Sequence, residues 1–159
     1  MVLLAGAAPL VAVLLLALVA VSGVHAAPTP SATAASAGAT RGLTAAAVVV
    51  RQEVVTRFGV TDIGGWSPGT GHVEGSDHYT GRAIDIMLTP LSPENTELGW
   101  RIARYLQSNA ARLRITYLIW DGRIWSVRRA VEGWRPYQHP SGRGGATLMH
   151  YDHVHVSVS

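Results

Sequence analysis

The chain ends on Met149-His-Tyr-Asp-His-Val-His-Val-Ser-Val-Ser159, and from His153 to Val158 it alternates polar and apolar without a break. In an extended strand successive side chains point to opposite faces. Val154, Val156 and Val158 therefore take a core face, while Tyr151, His153, His155 and Ser157 share the other. Two imidazoles two residues apart on one sheet face can address one metal ion or one substrate.

A second stretch, Ser76 to Met87, reads SDHYTGRAIDIM. Within GRAIDIML, Ile84, Ile86 and Leu88 form one face of a strand, and Ala83, Asp85 and Met87 the other. His78 and Asp85 are an odd number of residues apart, so on one straight strand they would point in opposite directions. A tight turn at Thr80-Gly81 lets His78 precede the turn and Asp85 follow it. A carboxylate inside AIDIM is costly to bury without a cation or strong hydrogen bonds. The chain has no cysteine, so there is no disulfide, and a metal site must be built from histidine and carboxylate. Two histidines and one carboxylate with an open fourth position are the ligand set of a catalytic zinc.

At 159 residues the chain holds one domain. From Val2 to Val24 there is no charged side chain, and Val24-His25-Ala26 fits a small-x-small cleavage site. Residues 1–26 read as a secretory signal peptide. An uncleaved membrane anchor is the alternative, because the run matches the ~20 residues that span a bilayer. Residues 27–43, rich in Ala, Thr, Ser and Pro, bury too little surface to offset ordering entropy and read as a disordered linker. The folded domain is then 44–159, exported and associated with the cell wall. All thirteen basic residues are arginine, and the formal charge of +3 is spread without a cluster. Nucleic acid is not an expected partner, and the domain reads as a monomer.

Thr44 caps a helix through AAAVVVRQEVVTRF, with Gly59 as its stop and Val48, Val55 and Phe58 at helical spacing. TDIGGWSPGTGHVEG reads as a surface loop. Ser92, Pro93 and Glu94 open a helix whose buried stripe is Leu98, Ile102, Leu106 and Ala110. Asp121-Gly122 joins ITYLIW to RIWSV in a hairpin, and HPSGRGGA is a loop before the last strand. The fold class is α+β: an antiparallel sheet with helices packed on one face.

Ser76-x-His78-x-x-Gly81-x-Ala83-x-Asp85 together with His153-x-His155 resembles the zinc peptidases of the Hedgehog/D-alanyl-D-alanine-peptidase superfamily. The spacing His150-x-x-His153-x-His155 is similar to that of the penicillin-insensitive murein endopeptidases. From about Ala45 to Ser159, with YLIWDGRIW and DHVHVS, the chain also resembles small secreted proteins of uncharacterised function from high-GC Gram-positive bacteria. The first resemblance implies a Hedgehog/DD-peptidase-like fold and Zn2+ held by His78, Asp85 and His155. It implies catalytic roles for His153, with His150 near it, and a peptidoglycan peptide as substrate. The carboxypeptidase branch carries a glutamate where this chain has Asp152, and an arginine ahead of the first motif that GGWSPGTGHVEG lacks. Endopeptidase action is therefore favoured over carboxypeptidase action. The alternative is a metal-bound but catalytically silent binding module.

Asp152 points away from the ligand face on a regular strand, so His153 is the expected base. Trp66, Tyr79 and Arg82, near the first ligand, are the expected substrate-binding side chains. Trp100, Trp120, Trp125 and Trp134 read as core. His72 and His139 read as solvated loop residues. Ser76 reads as a turn support, since no base is arranged to activate it.

Overall fold

The computed structural model describes residues 38–69 and 71–159. The signal segment and most of the expected linker lie outside the described residues. Among the described residues, no helix is long and apolar enough to cross a membrane.

Helix α1 spans Ala45–Phe58. Thr44 caps it by accepting a hydrogen bond from the Ala47 amide at 3.4 Å, and Gly59 ends it in the left-handed conformation. Its buried stripe is Ala47, Val50 and Val54. Val48, Val55 and Phe58, the positions expected from spacing, are only half-buried, because the helix is rotated to set Ala47, Val50 and Val54 into the core. Gly42 and Leu43, at the end of the expected linker, are engaged too. Leu43 packs against the core, and the Thr44 amide donates to the Gly81 carbonyl at 2.9 Å.

Strand β1 is Ile63–Gly64, a two-residue edge strand inside the stretch read as loop. A short 3-10 turn, Asp77–Thr80, precedes β2, Ala83–Met87. Helix α2, Pro93–Ser108, starts as expected, with the Ser92 hydroxyl accepting from the Asn95 amide at 3.2 Å. Its buried face is Gly99, Ile102, Ala103 and Leu106. Gly99 replaces the expected Leu98 because the Trp120 indole lies against it and leaves no room for a methyl. Ala110 is buried in a separate short helix α3, Ala110–Leu113. β3 (Ile115–Trp120) and β4 (Arg123–Ser126) form the expected hairpin. Asp121 and Gly122 both have positive φ, +50° and +65°, as a tight two-residue hairpin turn requires. β5 is Arg135–Pro136 and β6 is His153–Val158.

The domain is α+β, and its six strands are ordered β1-β2-β6-β3-β4-β5, each pairing antiparallel with its neighbour. Ile84, Ile86, Val154, Val156 and Leu118 face the buried cluster that also holds α1 and α2. Burying one such side chain contributes roughly 1.5–3 kcal/mol. The register Asp85↔His155, Met87↔His153 and Tyr117↔Ser157 sets the other face. β6 is buried along its whole length, polar positions included, because it lies between β2 and β3.

Candidate metal centre

His78 leaves the 3-10 turn immediately ahead of Gly81, whose φ of +69° reverses the chain into β2. That reversal lets residues of odd spacing face one point. His78 Nε2 lies 3.3 Å from Asp85 Oδ2 and 3.2 Å from His155 Nδ1. His155 Nδ1 lies 2.9 Å from Asp85 Oδ1. Three ligands at zinc distances of ~2.0–2.2 Å on a tetrahedron sit about 3.4 Å apart, so these separations suit a small cation. The three residues form a group that could hold a metal ion.

Donor chemistry points the same way. His78 Nδ1 faces the Gly65 carbonyl at 2.8 Å, and a carbonyl can only accept. Nδ1 must therefore carry the proton, and neutral His78 turns the Nε2 lone pair toward Asp85. A lone pair against a carboxylate calls for a proton or a cation between them. Burial pushes the His78 pKa down, but the bond to Asp85 and its charge outweigh burial and leave it raised. Burial likewise pushes Asp85 up, and its bonds from His155 and His78 hold it well below the usual carboxylate range.

The centre forms the floor of a cleft of about 430 Å³. His153 lies beside it, Nε2 3.6 Å from Asp85 Oδ1, while its Nδ1 meets Asp152 Oδ1 at 2.6 Å. Asp152 Oδ2 accepts from the Thr147 hydroxyl at 2.6 Å. Asp152 thus points away from the metal ligands, as strand geometry anticipates, and orients the ring of its own neighbour. His150 stacks obliquely on His153, centroids 4.6 Å apart. It has a positive φ of +57°, and its buried Nδ1 has no hydrogen-bond partner. Burial and the nearby imidazoles lower its pKa to about 3, so it is neutral.

The expected substrate side chains lie elsewhere. Trp66, Tyr79 and Arg82 are not among the residues lining the cleft. Trp66 covers Gly42, the Tyr79 hydroxyl donates to the His72 carbonyl at 2.7 Å, and Arg82 pairs with Asp77 at 2.6 Å. His72, read as a solvated loop residue, is exposed and also stacks on His78, with centroids 4.1 Å apart. His139 does reach the cleft lining. Glu74 and Arg143 both line the cleft and carry opposite charges. Tyr151 precedes β6 and is exposed rather than on the ligand face, because the chain turns through His150 before the strand begins.

Sequence reasoning missed Gly65, Tyr117, Thr147 and Ser157 as supports of the centre. Ser157 lies on the alternation of the last strand and was legible there. Tyr117 and Gly65 become neighbours only through strand pairing.

Compared with known proteins, the family model described as VldE, C-terminal domain, matches residues 39–151. No curated protein and no solved structure matches this chain.

Proposed function

This chain belongs to the VldE C-terminal domain family, and we propose that it is a secreted zinc-dependent peptidase-like domain acting on peptidoglycan peptides, with endopeptidase action favoured. One observation carries the reading: His78, Asp85 and His155 converge at the floor of an open cleft, with a second imidazole beside them. Zinc held there would supply a water nucleophile at neutral pH and polarise a scissile carbonyl. His153 is the base. Asp152 accepts a hydrogen bond from Nδ1–H, so neutral His153 keeps its Nε2 lone pair on the side of Asp85 and can accept a proton there. His150, neutral, packs on the His153 ring.

A specific observation supports the second reading, a metal-bound but silent binding module. The carboxylate of Asp152 is committed to Thr147 and His153, so the acidic residue of the last motif is not itself aimed at the centre as a base. Digestion of purified peptidoglycan by the zinc-loaded protein, with products read by mass spectrometry, tests the proposal. New peptide termini support the peptidase; binding without cleavage selects the silent module.

A further inference from the structure

Apart from Asp85 and the histidines, the cleft is lined by two charged side chains, Glu74 and Arg143. Both are exposed. Among the described residues neither is in an ion pair, whereas Arg82, Arg101, Arg112 and Arg129 each pair with a carboxylate. A lone exposed charge is ordinary on a protein surface. Two of opposite sign in the cleft of the candidate centre make a dipolar lining, and complementary charge is what selects a partner.

Each charge is carried on a loop that the fold pins beside the centre. Glu74 sits in a turn over residues 73–76, where the Ser76 amide donates to the Val73 carbonyl at 3.1 Å and Gly75 has φ +77°. His72, just ahead of it, is clamped by the Tyr79 hydroxyl, which donates to its carbonyl at 2.7 Å and accepts from its amide at 3.3 Å. The His72 ring stacks on His78. Arg143 follows a turn closed by the Gly142 amide donating to the His139 carbonyl at 2.9 Å. The Ser141 hydroxyl accepts from the Arg143 amide at 3.3 Å and from its Nε at 3.4 Å. That holds the base of the guanidinium and leaves its two terminal nitrogens without a protein partner among the described residues. Further along this loop Thr147 bonds Asp152, the partner of His153. The two loops therefore reach the centre from the His78 side and from the His153 side. Those two rings lie nearest different oxygens of Asp85, Oδ2 and Oδ1.

We propose that Glu74 and Arg143 determine specificity: the cleft takes a dipolar peptide, with an ammonium group set against Glu74 and a carboxylate set against the Arg143 guanidinium. An ammonium offers three donors to the Glu74 oxygens, and a carboxylate matches the fork of a guanidinium. The cleft volume of about 430 Å³ lies within the ~300–1,000 Å³ of sites that enclose a small ligand. A polyanion is repelled by Glu74 and a polycation by Arg143, so the pair rejects ligands of a single sign. The assignment rests on the cleft being a peptide site, as in the function proposed above, but not on cleavage.

Calorimetric titration of the zinc-loaded full chain with the tetrapeptide alanyl-γ-D-glutamyl-lysyl-D-alanine tests it. Three derivatives are titrated beside it: amines acetylated, carboxylates amidated, or both. Blocking either sign of charge should weaken binding about tenfold. Glu74→Gln should bind the parent and acetylated peptides equally while still preferring free carboxylates, and Arg143→Gln should show the reverse. Equal binding of all four peptides by the wild type overturns the assignment, as does failure to bind the parent peptide. Variants that keep both preferences overturn it too. If the chain takes up no zinc, the same titrations on the metal-free chain carry the test. Digestion of peptidoglycan reads the peptidase separately. Cleavage without charge preference overturns this assignment alone, and charge preference without cleavage supports it and removes the peptidase.

Discussion

Asp85 and His155 are direct register partners on β2 and β6, and the carboxylate Oδ1 stands 2.9 Å from the ring Nδ1. Two strand positions seventy residues apart in sequence thus share one face and one point in space. The centre is consequently stiff, because the backbones that carry both ligands are fixed to each other by the β2–β6 pairing.

Metal loading should follow from that pair. Asp85→Asn keeps the shape but removes the charge, and zinc affinity should fall by more than about a hundredfold. Wild-type protein should gain about 2.7 kcal/mol of stability when free zinc stands ~100-fold above its dissociation constant. Calorimetric titration and thermal melts with and without chelator check both. Melting that ignores zinc while the ion binds would mean that the site forms equally in the unfolded chain.

Opposite pH trends are expected for the two states. In the metal-free protein the His78 pKa is raised above its usual 6.5. Its stabilisation is therefore full below that value and lost as pH rises through the raised one. Asp85 is depressed below 3.8, so its contribution is present above that value and lost as pH falls. Metal binding needs both ligands deprotonated. The gain in melting temperature on adding zinc should thus widen between about pH 6 and pH 8, and a gain independent of pH in that range counts against His78 as ligand.

Gly81 should not tolerate a side chain. Its φ is +69°, and a methyl there would overlap the Gly42 carbonyl oxygen. Left-handed backbone costs a non-glycine residue roughly 1–2 kcal/mol before any clash. Gly81→Ala should lower both melting temperature and zinc affinity, since the turn aims His78. An alanine variant with normal zinc binding would show that another element orients this ligand.

His153→Ala should retain zinc and lose peptide hydrolysis by 10²–10⁴-fold, the usual range for a general base. Asp152→Asn should be milder, because it alters the orientation of the base and leaves the base in place. Equal losses of zinc and activity in His153→Ala would move this residue into the ligand set.

Local signals were legible without coordinates: the Thr44 and Ser92 caps, the Asp121-Gly122 hairpin, the apolar faces of β2 and β6, and His78, Asp85 and His155 as a candidate group. The caps, the hairpin and the apolar faces depend on residues within one turn or one strand, where side-chain direction follows from spacing. The three ligands, in contrast, were joined as a group by the resemblance of two distant motifs. Which side of α1 faces the core was not legible, since Val48 and Val50 are equally apolar and only the rotation of the helix on the sheet distinguishes them. Nor could spacing bring Gly65 to His78, Tyr117 to His155 or His72 onto the ring of His78. Those contacts exist because β1 pairs with β2 and β6 inserts between β2 and β3. Strand order joins residues far apart in sequence through backbone hydrogen bonds that carry no side-chain signature, so tertiary structure alone decided what surrounds the centre.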